Sequence, residues 1–395
     1  MEVLSNVHPC ADNRPACQQW IIKGSHSIEY SVIEAPRLFD STNIKLAVCG
    51  SSASSMTYDK RLIFIDSEVL TFHGPRLRQF FNAFEGEYRI VPIHITERLK
   101  DYAMVESILQ HMVDFGVSRK DEPVIAIGGG CLMDVVGMAA SLYRRGVPYI
   151  RIPTTLLGIV DAAVGVKTGS NFGAHKNRVG SYYAPICALL DTSFLETLPT
   201  RHIKNGMAEI LKMAIIADQA LFTVIEKNVE HLMADRLAQS ALSLGVVRSA
   251  VHGMLKELEP NLWESNLQRL VDFGHTLSPI FEMKAVDTLL HGEAVAVDMC
   301  ISTLVAANRK LLEPRQALRI IELTKKIGLP IIHPTCTSTN ITQALTEIVK
   351  HRDGLQRMPV PTDIGQATFL HDVTAQECIR ACEQLREIAQ QYSPA

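Results

Sequence analysis

The chain has 395 residues, more than a single core usually holds, so two domains are expected. It is 47% hydrophobic and 21% charged, as folded globular proteins are, and a net charge of -3 excludes a nucleic-acid binder because no positive field exists to hold a polyanion. Nine scattered cysteines without a C-x-x-C pair, no signal-like N-terminus and no run of about eighteen apolar residues predict free thiols, a cytoplasmic location and no membrane partner.

Residues 1–25, with Pro9 and Pro15 among mixed polar residues, read as a loose leader. Residues 28–33 alternate as a strand does, and 45–49 form an apolar strand stopped by Gly50, with a serine-rich loop behind it. Residues 61–66 (RLIFID) are a buried strand closing on Asp66. A carboxylate at that end of a strand is where α/β nucleotide sites hold a ribose hydroxyl, although a simple strand-end turn residue looks the same. Helical spacing at 77–84 and a strand at 88–95 follow. Thr96 then opens a helix as its N-cap, with Glu97 and Lys100 in the first turns and Gly116 as the stop.

Residues 123–127 form a short apolar strand, followed by three glycines and a helix over 133–143. Strand, glycine turn and helix aim backbone N–H groups at an anion. The turn is not GxGxxG and no acidic residue follows at about twenty positions, so a plain tight corner is the other reading. A second strand, 149–152, ends in Pro153-Thr154-Thr155. Beyond it lies a loop holding Lys167, Asn171, Lys176, Asn177 and Arg178, either a phosphate grip or a solvated face. Strands alternating with helices over 28–155 predict a parallel, doubly wound sheet.

Past residue 198 the strand signals nearly vanish. Helical spacing or length marks 205–218, 219–233, 236–259, 267–283, 292–309, 314–327 and 375–391, so the domain boundary is placed at 198/199. The predicted organisation is a leader over 1–25, an α/β domain over 26–198 and an all-α domain over 199–395. The cleft between such halves is the default active site. Glu209, His275 and His291 have the composition of a catalytic zinc site with an open position, although most of fourteen histidines will be surface or core residues. Each His neighbours a glycine, Gly274 or Gly292, which lets backbones come close. Lys212, three residues after Glu209, shares its helical face and calls for an anionic partner. Pro279 must kink or end a helix running through 275, and distortion there orients His275 unless it marks a plain helix end.

These motifs together resemble the sugar phosphate cyclases, the superfamily of 3-dehydroquinate synthase. The matching segments are GGG-x3-D (128–134), PTT (153–155), VDAAVGVKTG (160–169) and KNRVG (176–180), then NGMAE-x2-K (205–212), GHT (274–276) and HGEAV (291–295). The resemblance implies a Rossmann-like α/β domain followed by a helical domain, and a divalent metal, zinc or cobalt, on Glu209, His275 and His291. It implies NAD held by Asp66, Glu97, Lys100, Gly129, Gly130, Asp134, Thr154, Thr155, Lys167, Lys176, Phe194 and Thr197. A small-molecule sugar phosphate would meet Asp161, Lys167, Asn177, Lys212, Asp272 and Arg145, with catalytic work shared by Lys167, Lys212, Asp161, Asn177 and Arg145. Arg145 comes from a partner subunit in the family, which implies a homodimer. The implied reaction is transient oxidation by NAD, loss of phosphate by β-elimination, reduction, ring opening and aldol closure.

The sequence departs from dehydroquinate synthases where substrate is chosen. Pro279 stands for a His, Asp272 for an Asn and Gln268 for an Arg, and a late Lys-Lys pair is absent from 352–361. Fewer cations suit a substrate without a carboxylate. The pattern resembles the C7-cyclitol branch acting on sedoheptulose 7-phosphate, and GVKTGSNF (165–172) is similar to 2-epi-5-epi-valiolone synthases. Desmethyl-4-deoxygadusol synthase is the alternative within that branch. A metal-dependent polyol dehydrogenase and a non-catalytic sugar-phosphate sensor are the readings outside it.

Overall fold

Two units divide the chain, Met1–Tyr30 and Ser31–Ala395. The computed structural model describes residues 2–8, 17–24, 27–43, 45–49, 60–84, 86–173 and 175–391. In the first unit β1 (Glu2–His8) pairs antiparallel with β2 (Cys17–Lys23), from Glu2↔Lys23 to His8↔Cys17. The expected loose leader is therefore a hairpin over its described residues. The aromatic and β-branched run Trp20-Ile21-Ile22 favours strand over the polar residues around it.

The second unit opens with β3 (Ser31–Glu34), α1 (Lys45–Val48), β4 (Lys60–Asp66), α2 (Ser67–Asn82) and β5 (Glu87–Ile93). It continues with α3 (Tyr102–Phe115), β6 (Val124–Gly128), α4 (Gly130–Leu142), β7 (Tyr149–Pro153), the β8 (Lys167–Phe172) and β9 (His175–Tyr182) hairpin, and β10 (Cys187–Leu190). Six strands form one parallel sheet in the order β3-β10-β7-β6-β4-β5. Both faces are covered, and Ile63, Phe64, Ile65, Ile125, Ala126 and Ile127 are fully buried, so these strands read as continuous apolar runs.

Helices dominate the remainder: α5 (Thr200–Ala217), α6 (Gln219–Ala234), α7 (Ala241–Leu258), α8 (Ser278–Lys284), α9 (His291–Asn308), α10 (Pro314–Ile327) and α11 (Ser338–His351). A hairpin of β11 (Met358–Asp363) and β12 (Gln366–Leu370) precedes α12 (Ala375–Gln391). Helix α9 is the hub of this half. It is buried on every side from Ala294 to Ala306, as a helix without a polar face must be. One continuous apolar core joins the α3/α4 face of the sheet to α5 and α9.

Several sequence expectations change. Within the expected strand 45–49, Lys45–Val48 is a short helix, because Asn43 Oδ1 accepts from Lys45 N (3.2 Å) and the place beside β10 is filled by β3. Helix α2 starts at Ser67, ten residues before the expected start, with Asp66 as its cap; Gly74 and Pro75 lie inside it and hide it from a periodicity reading. Thr96 does not cap with its side chain. Glu97–Leu99 is a single 3-10 turn, and α3 begins behind Asp101, whose carboxylate accepts from Met104 N (2.9 Å). The loop carrying Lys167 to Asn177 is a strand hairpin. The helix expected over 267–283 is broken by Gly274 at φ +76, and Pro279 begins α8 instead of ending a helix. Cys49 and Cys187 are disulfide-bonded, so the all-thiol expectation fails for that pair, which the fold brings together from 138 residues apart.

Candidate active site

The strand order reverses between β4 and β6, since β5 lies to one side of β4 and β6, β7 and β10 to the other. Open α/β sheets take ligands in the crevice at such a reversal, outside the carboxyl ends of the strands. Asp66 ends β4 there and Gly128 ends β6. A Cβ on Gly128 would lie 2.7 Å from Leu132 Cδ2 and 3.3 Å from Asp66 Cβ, and one on Gly130 would lie 3.2 Å from Ala162 Cβ. The glycines are thus required by close packing, and Gly129 leaves the N-terminus of α4 without a side-chain cap. Asp66 Oδ1 accepts from Glu68 N (2.8 Å), and burial pushes its carboxyl up. Thr154 Oγ1 is buried without a hydrogen-bond partner among the described residues, while Thr155 Oγ1 accepts from Gly158 N (3.0 Å). Phe194 and Thr197 are spent on His73 of α2. The rings of Phe194 and His73 meet edge to face at 5.0 Å, and Thr197 Oγ1 lies 2.9 Å from His73 Nε2.

From this crevice a lattice of lysines, carboxylates and amides runs along the β8–β9 hairpin. Lys100 Nζ bonds Asp134 Oδ2 (2.5 Å) and Asn177 Oδ1 (2.6 Å). Burial works against its charge, but Asp134 and Glu97 more than restore it. Asn171 bonds both Glu97 O (2.9 Å) and Glu97 Oε1 (3.0 Å), and its own Oδ1 accepts from Asn177 N (2.8 Å). Those bonds hold Asn177 at φ 49, a left-handed conformation that Asn tolerates. Lys176, next along β9, bonds Glu282 of α8 and lies 3.3 Å from His291 Nδ1.

The lattice ends at the trio. One ligand atom from each of Glu209, His275 and His291 lies within 4.8 Å of the other two. Glu209 comes from α5, His291 from the first residue of α9, and His275 from the turn between Gly274 and α8. Glu209 Oε1 is 3.4 Å from His291 Nε2 and 3.9 Å from His275 Nε2. The far nitrogens are engaged: His291 Nδ1 donates to Glu282 Oε2 (3.0 Å) and His275 Nδ1 to Phe273 O (3.1 Å). Both Nε2 atoms therefore face Oε1 of the buried carboxylate, while Oε2 is taken by Lys212. This donor set fits a divalent ion with an open position. Burial, with Lys212 beside it, drives His275 down to about 3; burial and Lys176 also oppose protonation of His291, yet Glu282 and Glu209 lift it to about 9.

Glycines permit this convergence, as their spacing suggested. A Cβ on Gly292 would come 2.0 Å from Asn205 O, and one on Gly274 2.7 Å from Met299 Cγ. Buried Asp298 of α9 accepts from Leu277 N (2.6 Å) and Ser278 N (3.0 Å), fixing the start of α8 behind His275.

Of the residues expected to meet substrate, Asp161 lies in a π-helical turn, Gly158–Ala162, where burial and then Glu209 push its carboxyl up. Lys167 is ion-paired with Glu264. Asp272 is buried between Arg269 and Arg352, with Arg352 Nη2 at 3.3 Å. Loss of cations from this region is therefore only part of the picture, because Arg269 and Arg352 are present and matched by Glu264 and Asp272. Arg145 is exposed beyond the far end of α4, whose thirteen residues span about 20 Å from Gly130.

Sequence reasoning missed Glu282, Asp298, Arg151, Arg269 and Arg352. One signal was legible. Arg151 is a charge inside the apolar strand YIRIP, and its buried guanidinium binds Ala162 O (3.1 Å), Gly165 O (2.6 Å) and Lys167 O (2.7 Å), clamping the segment between Asp161 and Lys167. The other four have no local signature, since their partners lie on other elements or around tight turns.

Comparisons with known proteins point to one family. The family models for the 3-dehydroquinate synthase N-terminal and C-terminal regions match residues 90–205 and 206–351. A 2-epi-5-epi-valiolone synthase from Actinomyces sp is 45% identical over 375 residues, covering 94% of this chain and 98% of that protein. The demethyl-4-deoxygadusol synthase of Trichormus variabilis is 35% identical over 378 residues, 94% of this chain and 91% of its own. ValA, the 2-epi-5-epi-valiolone synthase of Streptomyces hygroscopicus subsp. jinggangensis 5008, was solved with NAD+ and Zn2+ bound. It is 43% identical with a TM-score of 0.88, over 93% of this chain and 100% of that one. From the glycine turn of its parallel sheet to the Glu-His-His trio of its helical half, the chain belongs to the 3-dehydroquinate synthase family.

Proposed function

We propose that this protein is a sugar phosphate cyclase that converts sedoheptulose 7-phosphate to 2-epi-5-epi-valiolone with release of phosphate, a carbon–oxygen lyase reaction without net oxidation. The observation that carries the reading is the convergence of Glu209, His275 and His291 at one end of a lysine lattice whose other end is the sheet crevice. Relatives named 2-epi-5-epi-valiolone synthase, 42 to 45% identical over more than nine-tenths of this chain, support the choice of product.

NAD in the crevice would supply a reversible hydride acceptor, and zinc or cobalt at the trio a Lewis acid. The side chains divide the remaining work. Asp66 faces the ribose, Gly129 and Gly130 present backbone N–H groups to the pyrophosphate, and Lys100 and Lys176 add fixed positive charge. Glu209, His275 and His291 hold the ion. Lys167, Asn177 and the Arg145 of a second copy grip the phosphate, so the working form is a homodimer. Lys212 keeps a positive charge beside the reacting oxygens. Asp161, whose carboxyl is raised, can hold a proton at its Oδ atoms. Glu264 and Asp272 neutralise Arg269 and Arg352, leaving those guanidiniums occupied where a substrate carboxylate would need them.

The test is to incubate purified protein with NAD, Zn2+ or Co2+ and sedoheptulose 7-phosphate, measuring phosphate and identifying the product by NMR. One phosphate per 2-epi-5-epi-valiolone, with no accumulated NADH at 340 nm, is the expected result. Demethyl-4-deoxygadusol as product would move the chain to the neighbouring activity, and stoichiometric NADH would make it a dehydrogenase. The cytoplasmic location is part of the same proposal and is checked by fractionation of the source cells.

A further inference from the structure

Glu282 lies where the trio and the lysine lattice meet, and it belongs to neither set of expected ligands. It sits in α8, is almost fully buried, and among the described residues is the carboxylate that both sides share: Oε1 accepts from Lys176 Nζ and Oε2 from His291 Nδ1 at 3.0 Å. Lys176 Nζ is itself 3.3 Å from His291 Nδ1, so one anion separates a cation from an imidazole N–H. Two donors converge on it, and a carboxylate alone among side chains of this shape accepts at both ends. A glutamine would offer one acceptor and turn an N–H2 group toward the other donor.

We infer that Glu282 is a positioning residue that couples the two binding sites: it presents His291 Nε2 to the ion, and it exchanges Lys176 with the bound dinucleotide. The argument rests on the metal and dinucleotide assignments proposed above. A carboxylate behind a ligating His fixes the ring and raises its basicity, and removing such a partner typically costs 10- to 100-fold in metal affinity. While Lys176 is bonded to Oε1, its charge offsets that of Glu282. An anionic phosphate that draws Lys176 away leaves the carboxylate acting on His291 alone, so dinucleotide tightens metal binding. By linkage, metal tightens dinucleotide binding by the same factor.

The experiment measures Zn2+ affinity by competition with a chromophoric chelator, with and without saturating NAD+, and NAD+ affinity by calorimetry, at one pH. For the unaltered protein NAD+ should tighten Zn2+ at least about threefold. Glu282→Gln should weaken Zn2+ by about 10- to 100-fold and bring the NAD+ effect to within error of none. Zn2+ affinity unchanged in Glu282→Gln, an NAD+ effect that survives it, or no NAD+ effect in the unaltered protein would each overturn the inference. Unaltered protein that binds neither Zn2+ nor NAD+ would instead overturn the functional reading. If Glu282→Gln does not fold, Glu282→Asp keeps the charge and shortens the reach. It should still lose at least about tenfold in Zn2+ affinity, and an unchanged value would also overturn the inference.

Discussion

Lys212 Nζ lies 2.5 Å from Glu209 Oε2, three residues apart on α5, with both side chains sealed from solvent. The lysine takes one carboxylate oxygen and leaves Oε1 turned toward the two imidazoles, so Glu209 offers an ion a single oxygen. Burial would raise the Glu209 carboxyl, but Lys212 and the two histidines hold it well below the usual carboxylate range. The pair therefore fixes the charge of the site before any ligand arrives.

Replacing Lys212 should separate binding from turnover. In Lys212→Gln the ion-pair charge is lost but all three ligands remain. Metal content by elemental analysis is expected to stay at one per chain, while kcat falls by at least about 100-fold, the usual cost of losing one preorganised electrostatic group. Equal loss of metal and kcat would assign Lys212 to metal retention instead.

Glu209→Ala removes a ligand and also strands Lys212 as a buried, unpaired cation. Breaking such a pair costs roughly 3–5 kcal/mol, so the variant should melt at lower temperature even without metal, and should hold no ion. Glu209→Ala with Lys212→Met should recover much of the stability and none of the metal. A double variant as unstable as the single one would contradict the pairing argument.

Metal binding should depend on pH with a definite sign. His291 in the metal-free protein is raised to about 9, whereas His275 is neutral down to about 3. Below about 9 an ion must displace the His291 proton, so apparent affinity falls about tenfold per unit as pH drops, and it levels off above that point. Calorimetry in buffers of different ionisation enthalpy should show close to one proton released per Zn2+ near neutral pH. No proton release would mean that His291 is already neutral.

Gly292→Ala tests the fold's part in the site without touching a ligand. The added Cβ would meet Asn205 O at 2.0 Å, and the nearest relief is to push α9 away from α5. Because His291 starts α9 and Glu209 rides on α5, their spacing should open and Zn2+ affinity should drop by at least about tenfold, read by chelator competition. Wild-type affinity in this variant would show that the helices can shift without moving the ligands.

Asp272→Asn addresses substrate choice. Its carboxylate lies between Arg269 and Arg352, and neutralising it leaves Arg352 without an anionic partner among the described residues and Arg269 with Glu264 alone in a buried place. Inhibition by a carboxylated sugar phosphate should strengthen at least about tenfold, while kcat/KM for sedoheptulose 7-phosphate declines. If carboxylated inhibitors bind no better, these arginines do not face the substrate.

The amino-acid order alone determined the elements whose causes are local. Apolar runs became sheet strands, α10 and α12 were legible to the residue, and Gly116 stops α3 at φ 71 as a left-handed cap should. Residue composition and the family resemblance of the motifs also pointed to Glu209, His275 and His291, whose ligand atoms the fold brings within 4.8 Å of one another. Where alternatives were close in energy, only the tertiary structure decided. Whether 45–49 is strand or helix depends on which strand fills the slot beside β10. The turn that carries His275 depends on Gly274 meeting α9 and on Asp298 reaching back to Leu277 and Ser278. Glu282, Asp298 and Arg352 could not be read from the sequence, since a buried charge is defined by its partners. Those partners lie on other elements or across turns and come within hydrogen-bonding range only when the chain has folded.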